Sequence, residues 1–292
     1  MESIIKPLKE DLISLYNYDI IQSARKLNDN IKKKGKKFIA EKQQPMYFTG
    51  KFDAKTVFVM LNPGGASDDC YSFDKLEKYK YSDFNSFCEK HIYEHINYGA
   101  IDSCRMDNFD LKQAAFLHAF KDSGINLPNF FNESKSEKTL KLKAKENVLM
   151  YKLQLELIPY RSVEFSGVLD NIKQAVNNID CFMPHIERIL DTIISFERRY
   201  VVFGAKQFAN LFSAYEVKMP GTIKFGGIKN ERIDEMKNRV FWNTITIKHK
   251  SNLINAIIPY SFPRRDLPNA YEKMRKYGEL CYQEMFNVLN IR

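Results

Sequence analysis

A run of six apolar or β-branched residues, at positions 56–61, ends abruptly on the tetrapeptide Asn62-Pro63-Gly64-Gly65. Such an unbroken run is typical of a strand that is buried on both faces in the centre of a parallel sheet. In an open α/β sheet, ligands bind at the loops that leave the carboxyl ends of the strands. Pro63 ends the strand, and the two glycines allow close approach of the backbone. The pattern predicts that Asn62 lies at the rim of a binding site. An ordinary strand-to-helix turn is the alternative.

Three further runs have strand character and similar punctuation, at residues 153–162, 199–205 and 254–261. Sequence with helical periodicity precedes or follows each run. This alternation of strands and helices is the pattern of a parallel sheet between helices. We therefore predict a single α/β domain over residues 1–292, with three α/β/α layers around a central four-stranded parallel sheet.

The order of the four signatures resembles the uracil-DNA glycosylase superfamily over about residues 52–270. In that family, a strand ending in Asn-Pro-Gly or Asp-Pro carries the residue that activates water, and a second strand carries the residue that reads the base. A fourth strand ends in a Pro-Ser loop that presses on the DNA. The resemblance is strongest at Leu61-Asn62-Pro63-Gly64. It is closest to the mismatch-specific and single-strand-selective branches.

This resemblance implies a DNA glycosylase, an enzyme that hydrolyses the N-glycosidic bond of a flipped base. Cleavage develops positive charge on the sugar, so the Asn62 carboxamide is expected to orient water and stabilise that charge. The backbone around Gly64 and Gly65 is expected to line the base pocket. Tyr71 and Phe73 are candidates to stack on the base, although such aromatic residues more often belong to the core.

Glu156 stands where single-strand-selective members have an Asn that pairs with uracil. A side-chain amide both donates and accepts, whereas an ionised carboxylate only accepts. Uracil is therefore not the expected substrate, and an exocyclic amino group, as on a modified cytosine, fits better. Two alternatives stay open. In the first, the carboxyl group stays protonated in a dry pocket and donates one hydrogen bond. In the second, Glu156 pairs with a basic residue such as Arg161. Tyr160 is a further candidate contact to the substrate.

The fourth signature has Ile258 where the most active branch has a His, a residue that mismatch-type members also lack. Ser261 is expected to contact a phosphate. Four residues are candidates to fill the gap left by a flipped nucleotide: Tyr260, Phe262, Arg264 and Arg265. A structural turn ahead of the next helix is the alternative.

The charge of the chain favours a polyanionic partner. Its 45 Lys and Arg residues outnumber 36 Asp and Glu residues, giving a formal net charge of +9, and residues 32–37 include five lysines. Basic side chains bind phosphates with release of counterions, so single- or double-stranded DNA is the expected partner. A solvated basic surface is the alternative. We expect a monomer without a cofactor, since no Gly-x-Gly-x-x-Gly or P-loop sequence is present.

The sequence predicts neither a membrane-spanning segment nor a metal site. No apolar run approaches the roughly 18 residues that span a bilayer, and the amino terminus lacks a signal-peptide core. We therefore expect a cytoplasmic protein. Cys88, His91 and His95 share one helix face with Cys104 nearby, but an ordinary amphipathic helix has the same pattern and no metal is expected.

Three segments extend the predicted domain. Residues 1–45 are predicted to form a helical leader, and residues 66–150 an extended insertion between the first and second strands. Residues 221–250 are predicted to add a hairpin or an edge strand. A catalytically inactive nucleic-acid-binding member of the same superfamily is the alternative function, and a small-molecule enzyme is a third. Repair and attack on foreign modified DNA are equally compatible with the sequence.

Overall fold

The computed structural model describes residues 2–31, 39–61, 81–97, 108–121, 123–125, 151–161, 179–233, 239–260, 262 and 270–290. Within these ranges the chain forms seven α-helices and seven β-strands. The helices are α1 (Glu2–Tyr16), α2 (Gln22–Ile31), α3 (Phe84–Asn97), α4 (Asn108–His118), α5 (Met183–Ile194), α6 (Gln207–Lys218) and α7 (Ala270–Asn290). The strands are β1 (Phe48–Gly50), β2 (Thr56–Met60), β3 (Lys152–Glu156), β4 (Tyr200–Phe203), β5 (Ile223–Arg232), β6 (Arg239–His249) and β7 (Asn252–Pro259).

All seven strands form one mixed sheet in the order β1-β3-β2-β4-β7-β6-β5. The middle strands β3, β2, β4 and β7 run parallel. The α/β class predicted from the sequence is confirmed. The sheet is larger than the four strands predicted, because β1 pairs antiparallel with β3 at one edge and the hairpin β5–β6 pairs antiparallel with β7 at the other.

Helices cover both faces of this sheet. Along β2, Val57 and Val59 pack in one hydrophobic core and Phe58 packs in another, because side chains alternate between the two faces of a strand. The first core contains residues of α1, α2, α3, α5 and α6, and the second contains residues of α4 and α7. On the second face, a Cβ at Gly278 would overlap the main-chain carbonyl of Phe116. Glycine at this position therefore lets α4 and α7 pack closely.

Several helices and one hairpin fall within the three extensions predicted from the sequence. Helices α1 and α2 fall within residues 1–45, and α3 and α4 fall within residues 66–150, although the domain boundaries themselves stay predictions. The hairpin predicted within residues 221–250 is confirmed as β5–β6, with a bulge between Phe225 and Ile228. Gly227 provides the positive φ of 100° at this bulge. None of the helices in the described ranges is long and apolar enough to cross a membrane.

Candidate active site

The order of the parallel strands defines a candidate binding crevice at their carboxyl ends. Strand β3 lies on one side of β2, and β4, which follows β3 in the chain, lies on the other side. Where the direction of the connections changes in this way, a crevice forms outside the carboxyl ends of the two adjacent strands at the change, here β2 and β4, and ligands of α/β proteins bind there. β2 ends at Met60 and Leu61 follows it. The chain therefore leaves the sheet at this crevice, directly before Asn62 in the sequence.

Most of the predicted site residues lie outside the described ranges. They are Asn62, Gly64, Gly65, Tyr71, Phe73, Ser261, Arg264 and Arg265. Their roles stay predictions. The residues whose surroundings the structure describes are Glu156, Tyr160, Tyr260 and Phe262.

Glu156 lies at the carboxyl end of β3, beside the end of β2. In the register of the two strands, Glu156 is the partner of Met60. The pairing continues beyond the strands, because the next two amides of the β3 chain donate to the carbonyls of Met60 and Leu61, both at 2.8 Å. Glu156 is therefore next to the strand end that leads into Asn62.

A row of polar side chains runs along one face of β3, beneath α4. The Lys152 ammonium donates to Gln154 Oε1 at 2.8 Å and also to Gln113 Oε1. Gln113 donates its Nε2 to the same Gln154 oxygen at 3.1 Å. Because an ammonium group can only donate, this contact fixes Oε1 of Gln154 toward Lys152. The Nε2 of Gln154 is thereby directed to Glu156 Oε1, to which it donates at 2.6 Å.

Burial raises the pKa of Glu156 to about 8, although the hydrogen bond from Gln154 and the charges of Lys152 and Arg188 act to lower it. Only 2% of the residue is exposed, and removal from water disfavours an ionised carboxylate. At neutral pH the carboxyl group is therefore largely protonated. Its Oε1 accepts from Gln154, whereas its Oε2 has no hydrogen-bond partner among the described residues. The group thus offers a buried O–H donor beside the crevice.

Arg188 of α5 fixes the backbone at the end of β3. Its Nη2 donates to the main-chain oxygens of Glu156 and Leu157 at 2.8 and 3.0 Å. Its guanidinium lies over the ring of Tyr47, 4.6 Å from the centroid. The charge of Arg188 also acts on the Glu156 carboxyl, whereas Arg161, the partner considered from the sequence, is not among the groups that do so in the described structure. Sequence reasoning missed Arg188, because nothing in the pattern of α5 distinguishes it from a surface arginine.

Tyr160 belongs to a second buried polar cluster, formed with Asp11, Ser23 and Tyr47. Its hydroxyl oxygen lies 2.9 Å from Asp11 Oδ2 and 2.7 Å from Ser23 Oγ. The hydroxyls of Ser23 and Tyr47 donate to the two oxygens of Asp11 at 2.6 and 2.7 Å. Burial raises the pKa of Asp11, and these hydrogen bonds act against that rise. A direct contact between Tyr160 and a base would require its hydrogen bonds in this cluster to break.

The two described residues of the fourth signature have different surroundings. Phe262 is buried, with its ring centroid 5.1 Å from that of Phe58 and 5.4 Å from that of Phe116. This corrects the expectation that Phe262 faces DNA, because its ring fills part of the core below α4. Tyr260 is partly exposed, and its amide donates to the carbonyl of Phe241 at 2.8 Å. Tyr260 therefore stays available for contact with DNA.

The histidines of α3 hydrogen-bond to neighbouring groups. The ring nitrogens of His95 lie 2.8 Å from the carbonyl oxygen of His91 and 3.1 Å from that of Pro45. Burial is the main cause that lowers the pKa of His91 to about 4. Within the described ranges, no group of three or more His, Cys, Asp or Glu residues is placed to hold a metal ion. Cys104 lies outside those ranges.

A scan against protein-family models, a search of curated proteins and a search of solved structures each found no match for this chain. The resemblance to uracil-DNA glycosylases therefore stays a hypothesis that rests on the four sequence signatures.

Proposed function

We propose that the chain is a DNA base glycosylase that hydrolyses the N-glycosidic bond of a flipped base of the cytosine type, including modified cytosines. The observation that carries the proposal is the register of β2 and β3, in which Glu156 is the partner of Met60. This pairing puts a buried carboxyl group, one oxygen of which has no hydrogen-bond partner among the described residues, beside the strand end that leads into Asn62. The order of the parallel strands, β3-β2-β4-β7, supports the proposal, because β2 borders the crevice where α/β proteins bind ligands and Glu156 ends the strand next to β2.

In the proposed mechanism, the Asn62 carboxamide orients a water molecule below the sugar and stabilises the positive charge that develops there. The protonated Glu156 donates from Oε2 to an acceptor on the base, such as the N3 of cytosine. This hydrogen bond strengthens as negative charge builds on the departing base, so it favours the transition state over the ground state. Uracil carries an N–H at the same ring position, so two donors would oppose each other. A base of the cytosine type is therefore the better fit.

A second candidate function is a nucleic-acid-binding protein of the same fold without hydrolytic activity. The observation that favours it is the burial of Glu156, of which only 2% is exposed. An Asn in the water-activating position also accepts a proton less readily than an Asp.

Release of base from a panel of labelled oligonucleotides tests the proposal. The panel carries uracil, cytosine and modified cytosines, in single-stranded and duplex form, and products are read as abasic sites. We expect product from at least one cytosine-type base and little from uracil. Asn62→Ala should reduce the rate by at least about 100-fold, the loss typical of removing one transition-state contact. Asn252→Ala is the matched control. Asn252 is exposed at the start of β7, at the amino ends of the parallel strands.

Equal release by Asn62→Ala and the parent protein would remove Asn62 from the mechanism. No product from any oligonucleotide, with binding to DNA retained, would favour the second candidate function.

A further inference from the structure

The hairpin β5–β6 extends past the carboxyl edge of the parallel strands. Trp242 of β6 pairs with Pro259, the last residue of β7. β6 begins before this pair, at Arg239, whose partner on β5 is Arg232. Because β6 runs antiparallel to β7, the residues that precede Trp242 lie beyond the end of β7. This end of the hairpin therefore lies beyond the carboxyl ends of the parallel strands, as the candidate active site does.

One face of this extension carries aromatic rings beside guanidinium groups. Trp242 packs in the core with residues of α7, so Arg239 and Phe241 lie on the opposite face of β6. Phe241 is 38% exposed. Tyr260 follows Pro259 and lies next to Phe241, to whose carbonyl its amide donates. The two residues are therefore opposite each other on one face of the sheet. The Tyr260 side chain is partly buried against the first core, where Asn243 Nδ2 donates to its hydroxyl at 3.5 Å.

The charges on this face are arranged unfavourably for an isolated protein. Arg232 and Arg239 are direct partners across the strands, and both side chains are exposed. Like charges directly opposite each other destabilise a sheet, because their Cβ atoms are about 5 Å apart. Among the described residues, Arg239 hydrogen-bonds to Asn230 Oδ1 at 2.6 Å rather than to a carboxylate. A bound anion would offset the repulsion between the two guanidinium groups.

We propose that Arg232, Arg239, Phe241 and Tyr260, together the arm face, bind single-stranded nucleic acid. In this proposal the guanidinium groups bind phosphates and the aromatic rings stack on unpaired bases. Charge alone would fit any polyanion. An exposed Phe241 beside a partly exposed Tyr260 fits bases whose faces are free, and such aromatic platforms are the usual single-strand site. A duplex hides its base faces. The inference rests on the proposed function only in taking nucleic acid as the partner.

The test is fluorescence anisotropy with a labelled oligothymidine strand, titrated with the full-length protein at several salt concentrations. The double variant Arg232→Ala/Arg239→Ala should weaken binding at least about tenfold at low salt. It should also reduce the slope of log affinity against log salt by about 1.4, because each phosphate contact to a single strand contributes about 0.7. Phe241→Ala and Phe241→Leu should each weaken binding at least about fivefold without a change in slope, since both remove the ring that stacks.

A matched control is Lys224→Ala/Lys248→Ala. It removes the same charge from exposed positions of the same hairpin, but on the opposite face and nearer the amino edge of the sheet. Binding by this variant should change by less than about twofold. An equal loss in the control and in the arginine variant would overturn the proposal, because net charge would then explain the binding. Unchanged binding by both Phe241 variants would also overturn it, leaving a site for polyanions only.

Two further measurements separate this inference from the proposed function. Duplex DNA that binds as tightly as the single strand, with the same losses in the variants, would overturn the assignment to a single strand. Asn62→Ala should bind the strand as well as the parent protein does. If the parent protein releases no base but the arm-face variants lose binding, the glycosylase proposal fails and the arm face stands. If base is released and no arm-face variant changes binding, the arm-face proposal fails and the glycosylase proposal stands.

Discussion

Two buried polar clusters lie on opposite sides of the end of β3, and they differ in how completely their hydrogen bonds are satisfied. In the cluster around Asp11, both carboxylate oxygens accept, from Ser23 and from Tyr47. In the cluster around Glu156, one oxygen accepts from Gln154 and the other has no partner among the described residues. Burial raises the pKa of both carboxyl groups, so burial alone does not separate them.

Completeness of hydrogen bonding is what separates a cluster that holds the fold together from one suited to a ligand. The Asp11 cluster joins α1, α2 and the chain after β3, and its donors and acceptors meet each other. Within the part of the chain that the structure describes, the Glu156 cluster keeps a donor without an acceptor, which costs free energy in the unliganded protein. Such a cost is expected at a site where a bound substrate supplies the missing acceptor.

The largest expected effect is the loss of stability caused by Asp11→Ala. The substitution leaves three hydroxyl groups without their common acceptor and removes a negative charge that acts on the buried Arg188. Breaking a buried charged contact typically costs about 3 to 5 kcal/mol of unfolding free energy. Asp11→Asn is the control, since it keeps an acceptor and loses only the charge, and its cost should be smaller. Urea denaturation measures both. A loss below about 1 kcal/mol in Asp11→Ala would show that the cluster does not stabilise the fold.

The fold could be predicted where strands are buried by helices on both faces. β2 and β4 each overlap a continuous run of apolar or β-branched residues, as expected for central parallel strands. β3 instead alternates apolar and polar residues, and β7 ends in an apolar run after Asn255. β1 was not predicted, because a strand of three residues, Phe48–Gly50, is too short to leave a pattern in the sequence. It forms because its backbone pairs with β3.

The site could be predicted only in part, because its chemistry depends on contacts between residues that are distant in sequence. The position of Glu156 follows from the end of a predicted strand. Burial raises the pKa of Glu156, and Gln154, Lys152 and Arg188 act against that rise. Gln154 donates to one oxygen of Glu156, and Gln154 is itself oriented by Lys152 and by Gln113 in α4. Phe262 shows the same limit, since turn-like sequence around it favours exposure while α4 covers its ring.

The pH dependence of stability, a smaller effect, tests the cluster around Glu156. Glu156 has a folded-state pKa of about 8 against an ordinary value of 4.5. The folded protein therefore holds this proton more tightly than the unfolded chain, and stability falls as pH rises between these two values. The buried histidines act oppositely, because burial lowers the pKa of His91 to about 4 and of His185 to about 3. Their contribution to stability increases with pH and levels off only about one unit above the ordinary His pKa of about 6.5.

Glu156→Gln leaves the histidines unchanged, so the difference between the parent protein and this variant isolates the Glu156 contribution between about pH 6.5 and pH 8. We expect this contribution to lower the unfolding free energy of the parent protein by about 1.5 to 2 kcal/mol over the window, since one pKa unit corresponds to about 1.4 kcal/mol. Glu156→Gln, which resembles the protonated carboxyl group, should abolish this fall while changing stability at pH 6.5 by less than about 1 kcal/mol. A fall of equal size in the variant would assign the titration to another group.

The smallest expected effect is that of Tyr160→Phe, and it decides to which of the two clusters Tyr160 contributes. The substitution removes a hydroxyl that contacts Asp11 and Ser23, but Asp11 keeps its hydrogen bonds from Ser23 and Tyr47. Loss of one such hydrogen bond should cost about 1 kcal/mol of unfolding free energy. Because this hydroxyl is held within the Asp11 cluster, the rate of base release should change by less than about twofold. A large fall in kcat/KM with unchanged stability would instead make Tyr160 a substrate contact, and the Asp11 cluster would then no longer be purely structural.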